Sequence, residues 1–312
     1  MKEYLLNYYP QFECVGGECK HTCCAGWEMC IDEHTLNVYK GENSAFSKRL
    51  QKGVNFKKSK FKTDKNGRCA FLNDKGLCEI IINLGKDKLC QVCSDHPRFR
   101  SFFENAVEMG LGFSCEQATK IILSFENKIE PVLVKDDKLQ KETSFVERQV
   151  LNFREKALNV VQDRNEDINQ RINELLSLCF ATVDQSDFED TIKTFSSLEI
   201  LDPKWLARIS KLTEKNFALK TSQELSLYAE QFLVNSIYRH LADAEDTLWV
   251  RARTIAIVLS WFLINSIFEM EKTGQNAFAC VCDIVRAFSA DVEYSQKNLN
   301  KLFDFAFEFV NL

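Results

Sequence analysis

The feature that most constrains this chain is where its sulfur lies. Ten of the thirteen cysteines fall within the first 115 residues, as Cys14, Cys19, Cys23, Cys24, Cys30, Cys69, Cys78, Cys90, Cys93 and Cys115. A Cys90-x-x-Cys93 step lets two sulfurs reach one centre with little backbone strain. Thiols crowded in this way in a reducing compartment hold zinc or iron–sulfur rather than pairing as disulfides. The opening MKEYLLNYYP has two leucines followed by Asn7 and Pro10, far short of a secretory apolar core. With an odd cysteine count, it leads to the expectation of a cytoplasmic protein.

Composition bounds the rest. A chain of 312 residues with 45% apolar content can bury one or two sizeable cores and is too apolar to be disordered. Its longest apolar stretch, 254–268, is too short to span a bilayer unaided and carries Ser260, Asn265 and Ser266, which predicts a buried core helix and no transmembrane segment. Peripheral membrane association and oligomer formation stay open. The formal charge of −5 divides unevenly: residues 1–116 hold 17 Lys/Arg against 15 Asp/Glu, the remainder 23 against 30. Neither half is basic enough to suggest nucleic acid. From Lys48 to Arg68, nine basic residues face the single acid Asp64, interleaved with Phe56 and Phe61. That run is either a solvated loop or a docking patch for an acidic protein surface.

Glycines at 16, 17, 26, 67, 76 and 85 punctuate the first part, where only short helices are expected, at 33–40, 44–52 and 77–85. Beyond residue 116 only Pro131, Pro203 and Gly274 interrupt the text. Helices are predicted near 117–128, 141–162, 165–180, 187–198, 203–215, 221–242, 247–272, 275–290 and 295–310, with Asp202-Pro203 as a strong start signal. No strand-like alternation recurs. The expected fold is mainly α: an irregular cysteine-rich metal-binding amino-terminal module, 1–116, and an all-α helical domain, 117–312.

Candidate metal ligands are Cys14, Cys19, Cys23, Cys24, Cys69, Cys78, Cys90, Cys93 and Cys115. The adjacent side chains of Cys23 and Cys24 are expected to point apart, which would give one of them another role. Cys30 is a further ligand or a small buried residue; Cys179, Cys280 and Cys282, in apolar helical text, read as buried. Only His21 and His96 lie close enough to the cysteines to substitute as ligands.

The string Phe12-x-Cys14-x4-Cys19-x3-Cys23-Cys24-x-Gly26-Trp27, then Ile31-Asp32, Cys69-x-Phe71-Leu72-x4-Leu77-Cys78-x-Ile80 and Leu84-Gly85-x3-Leu89-Cys90-x2-Cys93-x3-Pro97-Arg98, resembles the flagellin lysine N-methylase family. Leu233-Val234-Asn235-x2-Tyr238-Arg239-His240 and Phe288-Ser289-x3-Glu293-x4-Asn298-Leu299-x-Lys301-Leu302 are similar to that family's carboxy-terminal text. The resemblance implies a cytoplasmic bacterial enzyme that moves a methyl group from S-adenosylmethionine to surface lysines of flagellin and carries an oxygen-sensitive [4Fe-4S] cluster. Two positions depart from the family text: His96 stands where Tyr is usual, and Tyr294 where His is usual. The chain also lacks the Cys-x3-Cys-x2-Cys triplet of radical S-adenosylmethionine enzymes, since Gly26 occupies the third position, and it has no Gly-rich strand–helix turn of the Rossmann kind.

The chemistry restricts the site further. A lysine amine, with a pKa near about 10.4, must lose its proton before its nitrogen can attack a methyl group, and burial, a Tyr or a carboxylate would assist. Tyr228, Gln231, Asn235 and Tyr238 form an uncharged polar stripe at helical spacing. It either lines a groove, with Tyr238 and Tyr228 catalytic and Asn235 on the cofactor, or ties helices together. Arg98 and Asp32 either contact the cofactor or anchor the metal loops, and Trp27 either packs over the metal or stacks on adenine. The rival reading is a non-catalytic zinc or iron–sulfur protein acting as metal carrier, redox sensor or scaffold. An oxidoreductase lacks any flavin or nicotinamide fingerprint.

Overall fold

The computed structural model describes residues 1–26, 29–138, 142–274 and 276–310. Along the first third run β1 (Lys2–Leu6), α1 (Glu33–Gly41), α2 (Ser47–Gly53), β2 (Val54–Asn55), β3 (Lys60–Phe61), α3 (Glu79–Leu84) and α4 (Gln91–Asp95). Then come β4 (Arg98–Phe102), β5 (Ala106–Leu111), α5 (Glu116–Leu123), β6 (Pro131–Asp136), α6 (Phe145–Val161) and α7 (Ile168–Leu178). The last third is helical: α8 (Phe188–Ser196), α9 (Pro203–Ile209), α10 (Ser226–His240), α11 (Thr247–Glu271), α12 (Ala277–Phe288) and α13 (Gln296–Phe307). The protein is mainly α, as composition implied.

Two compact units divide the chain, one of residues 1–12, 99–114 and 118–312, the other of 13–98 and 115–117. The sequence boundary at 116/117 therefore differs from the structural one, because the first strand and residues 99–114 fold with the helices. Their sheet, ordered β4-β5-β1-β6, was not expected. β1 runs parallel to β5 and antiparallel to β6, with Lys2 opposite Ala106 and Leu5 opposite both Met109 and Val132. Period-2 alternation is masked here. On β5, Val107, Glu108, Gly110 and Leu111 are all buried, so both faces are covered and no polar side marks the pleat.

In the helical unit, α11 is the central element. It is long and apolar enough to cross a membrane by length and composition, yet every residue from Thr254 to Phe268 is buried within the fold. Its polar Asn265 donates to the carbonyls of Ala218 and Lys220 at 2.9 and 3.0 Å, and Trp261 Nε1 donates to Thr221 Oγ1 at 2.8 Å. Around it pack α10, α12 and α13, with Phe232 stacked on Phe113 and edge-on to Phe288. Helix starts follow the sequence signals: Asp167, Asp202, Asp246, Asn276 and Ser295 each accept a backbone N–H from the first turn. The predicted 275–290 helix instead begins at Ala277 and ends at Phe288, where a π-helical turn, Ser289–Glu293, takes over.

The cysteine-rich unit has a small core of Met29, Ile31, Leu36, Tyr39, Leu50 and Phe61, with Cys69 and Cys90 buried in it. Loops approach closely enough to need glycine: a Cβ on Gly17 would lie 2.5 Å from the Lys75 carbonyl. The basic run does not present its aromatics outward. Phe61 is buried and packs edge-on against Phe71, while Arg49 pairs with Glu79 at 2.7 Å and lies over the Phe71 ring. Lys57, Lys58, Lys62 and Lys65 remain exposed.

Candidate functional site

The backbone of the cysteine-rich unit draws its sulfurs together. Cys69 N–H donates to the Cys24 carbonyl at 2.8 Å, and single bridges link Ala25 to Arg68 and Leu72 to Cys78. Cys78 and Cys90 sit at the amino-terminal caps of α3 and α4, where helix N–H groups stabilise a thiolate. The backbone N–H of Phe71 reaches Cys69 Sγ at 3.5 Å; at Cys78 burial outweighs the pull of the nearby Ile81 and Ile80 N–H groups and raises the thiol. All thirteen cysteines are thiols.

Two thiol pairs are in direct contact. The Cys90–Cys93 hydrogen bond lowers Cys90 and raises Cys93. The Cys23–Cys24 bond likewise lowers Cys24 to about 7 and raises Cys23. This corrects the expectation that the adjacent side chains point apart. Burial raises Cys69 to about 11, and the charges of Cys24, Cys78 and Cys90 add to that rise. Cys93 in turn feels Cys90, Cys24 and Cys69. Cys24, Cys69, Cys78, Cys90 and Cys93 thus share one neighbourhood, while Cys23 is influenced by Cys115 and Cys14. Cys19 closes the short turn Gly16–Glu18. Cys30 is exposed rather than a buried small residue, and Cys179, Cys280 and Cys282 are buried as expected.

Among the described residues, no group of three or more His, Cys, Asp or Glu side chains is closed around a single ion position. The donor set itself suits a soft metal or an iron–sulfur cluster: several thiols, N–H donors aimed at them, and an apolar wall. Asp32 and Arg98 hold this region in shape. Asp32 caps α1 through Thr35 N–H and accepts from Gln91 N–H at 2.9 Å, fixing the turn between Cys90 and Cys93; that second bond is the main reason its carboxyl is held low. Arg98 Nη1 donates to the Ser94 carbonyl at 3.1 Å. Trp27 lies outside the described residues.

The polar stripe of α10 divides between interior links and a cleft. Asn235 is fully buried; its Oδ1 accepts from the Tyr8 hydroxyl and its Nδ2 donates to the Leu111 carbonyl, joining α10 to the sheet. Gln231 likewise donates to the carbonyls of Phe125 and Asn127. Both amides thus take part in links between elements, the second of the two alternatives for this stripe. Tyr228 packs on Phe278 of α12 at 5.6 Å, ten residues and so ~15 Å along the helix from Tyr238. The two tyrosines do not share a site. Tyr238 borders a cleft of about 400 Å³ together with Glu130, Leu151, Arg154, Glu155 and Leu158. Burial raises its hydroxyl well above the usual tyrosine value, against the opposing pull of Arg154, so it remains protonated.

The sequence reading did not connect the two carboxy-terminal motifs, which meet in space. Glu293 accepts from Arg239 Nη1 at 3.0 Å, from His240 Nε2 at 2.9 Å and from the Ser289 hydroxyl. Burial alone would raise Glu293; Arg239 first, then His240 and Ser289, overcome it and hold the carboxyl down at about 2. Burial keeps His240 below its usual value. Asp291 and Asn298 accept the backbone N–H groups of Leu201, Asp202 and Glu199, so this motif also clamps the turn before α9. The signal was in the residues themselves: Arg, His, Ser and Glu within apolar helical text need partners.

Comparison with known proteins follows this geometry. A stretch of 135 residues, 40% of the chain, is 28% identical to "Flagellar biosynthetic protein FliU" of Salmonella muenchen and covers 80% of that protein. Over 135 residues the chain is also 27% identical to proteins named "Lysine-N-methylase" from Salmonella typhimurium and Salmonella choleraesuis. The chain is similar to lysine-N-methylases. The match supports the resemblance carried by the cysteine motifs. The matched stretch spans 34% of each lysine-N-methylase, about a third of their length. No family model matches the chain, and no solved structure matches it.

Proposed function

We propose that the chain takes part in protein-lysine N-methylation, acting on lysines of flagellin with S-adenosylmethionine as methyl donor, and that its cysteine-rich unit carries a [4Fe-4S] cluster. The observation that carries the reading is the similarity to lysine-N-methylases. The gathered thiols agree with it. Four of Cys24, Cys69, Cys78, Cys90 and Cys93 supply the cluster ligands; Cys14, Cys23 and Cys115 form a second thiol group, near which the Lys20 N–H bonds Glu116 at 3.0 Å. The cluster supplies a redox-active, oxygen-sensitive centre, and S-adenosylmethionine an electrophilic methyl group.

The chain's own residues set the surroundings. Asp32 and Arg98 fix the Cys90–Cys93 turn; contact with Cys93 favours the Cys90 thiolate, whereas burial keeps Cys69 and Cys78 as thiols until a cation is present. Tyr238 acts as a neutral hydrogen-bonding group rather than a general base, because burial opposes loss of its proton. The exposed Lys57, Lys58, Lys62 and Lys65 offer the positive surface that attracts an acidic protein.

The test is methyl transfer. Protein purified without oxygen, incubated with flagellin and methyl-labelled S-adenosylmethionine, is expected to place label on flagellin lysines, read by peptide mass spectrometry. A fully metal-loaded preparation that labels nothing would sink the reading. It would also favour the non-catalytic metal protein, a role to which the cysteines are equally suited.

A further inference from the structure

Among the described residues, the cleft beside Tyr238 is bordered by groups that the fold does not use. Tyr238 is 4% exposed and borders this cleft, and among the described residues its hydroxyl makes no hydrogen bond. Glu130 and Glu155, both exposed, border the same space and make no ion pair, and Glu130 lies near enough to Tyr238 for its charge to be felt there. Arg154 is already spent: it grips Glu108 with two hydrogen bonds of 2.7 and 2.8 Å, and its guanidinium lies over the Tyr238 ring at 5.3 Å. With that pair neutral, the charges left around the cleft are two carboxylates against the exposed Lys128.

We propose that this cleft receives the ammonium end of an extended aliphatic side chain, a lysine of the protein substrate, between Glu130 and Glu155 with the Tyr238 hydroxyl as its neutral hydrogen-bond partner. The inference rests on the lysine-methylation reading for its occupant and adds the place. Leu151 and Leu158 supply apolar wall for four methylene groups, and about 400 Å³ is within the range of small-ligand sites. A phenol that keeps its proton can accept from an ammonium and donate to a neutral amine, so it serves both protonation states of the guest. An anionic guest would meet the two carboxylates instead.

The same cationic chemistry is present in the amino-acid end of S-adenosylmethionine, and the experiment separates the two. A short fluorescein-labelled peptide of glycine and serine with one central lysine, and its norleucine counterpart, are titrated against the full-length protein by fluorescence anisotropy. The lysine peptide should bind about tenfold tighter, the scale of one charge-assisted hydrogen bond. Glu130→Gln with Glu155→Gln, both on exposed side chains, should erase that preference, and Tyr238→Phe should reduce it. Equal binding of the two peptides to the parent protein, or an undiminished preference in the double variant, would overturn the proposal. So would competitive displacement of the lysine peptide by S-adenosylhomocysteine, which would give the cleft to the methyl donor. Flagellin labelling in the same preparations keeps the two claims apart: labelling without lysine preference removes the cleft alone, and lysine preference without labelling removes the methylation reading while the cleft stands.

Discussion

The helical unit and the cysteine-rich unit treat buried charge in opposite ways. In the helical unit three of the four buried carboxylates among the described residues meet a cation: Glu108 meets Arg154, Glu230 meets Arg171 and Arg164, and Glu293 meets Arg239, all at 2.7 to 3.0 Å, while the fourth, Asp291, accepts the backbone N–H groups of Leu201 and Asp202. In the other, Cys24, Cys69, Cys78, Cys90 and Cys93 share one neighbourhood, where the charge of Arg68 is felt at Cys24. Ionised together, these thiols would repel each other in an apolar setting. On the proposed reading a positive centre would complete the second arrangement, whereas the first already pairs most of its buried charge.

Removing metal should therefore produce the largest and most one-sided effect. A chelator added to anaerobic protein is expected to collapse protection from hydrogen exchange across residues 13–98 while leaving α10 and α11 protected, since metal binding to a small thiol site can carry ~10 kcal/mol of folding free energy. Equal protection with and without chelator would erase the contrast between the units.

The converse change lies in the helical unit. Glu230→Ala strands Arg171, whose side chain is 6% exposed, and should destabilise that unit by ~3–5 kcal/mol in urea unfolding, with metal content unchanged. A loss below ~1 kcal/mol would mean that the buried pair is not what holds α7 to α10.

Acid should act next, on the Glu293 cluster. Glu293 and His240 are both depressed in the fold, so each contributes stability that is present above its ordinary value and lost as pH falls toward its folded one. The helical unit should weaken from about pH 6.5 downward and continue to do so toward pH 2, with a Glu293 share of about 3 kcal/mol. In Glu293→Gln the lower part of that slope should flatten; an unchanged pH profile of thermal unfolding would contradict the assignment.

The smallest effect joins local structure to the metal. Asp32→Ala removes the α1 cap and the Gln91 bond, worth ~1 kcal/mol as a cap alone, and should loosen the Cys90–Cys93 turn. Slower recovery of metal after chelation, with helix content nearly intact, is the expected result.

What the sequence made legible follows the same division. Helices were readable because their apolar stripes and caps are local; Asp202-Pro203 starts α9 where its chemistry says it must. The sheet was hidden because β5 buries Glu108 against an arginine 46 residues away, which breaks the alternation that identifies a strand. Candidate ligands were readable by type, and Asp32 and Arg98 as their neighbours. Spatial grouping was not: which sulfurs meet depends on backbone bridges such as Cys69 to Cys24, separated by a basic run. The stripe on α10 likewise had the right period, but period alone does not distinguish Asn235, bonded to Tyr8, from Tyr238, which borders a cleft.

The central claim, that the gathered thiols of the cysteine-rich unit form the metal centre, is tested most directly by iron and acid-labile sulfide in anaerobically purified parent, Cys93→Ser and Cys282→Ser proteins. The account predicts about four of each per chain in the parent and in Cys282→Ser, and their loss in Cys93→Ser. Stoichiometric zinc without iron, or equal iron in all three, would contradict it.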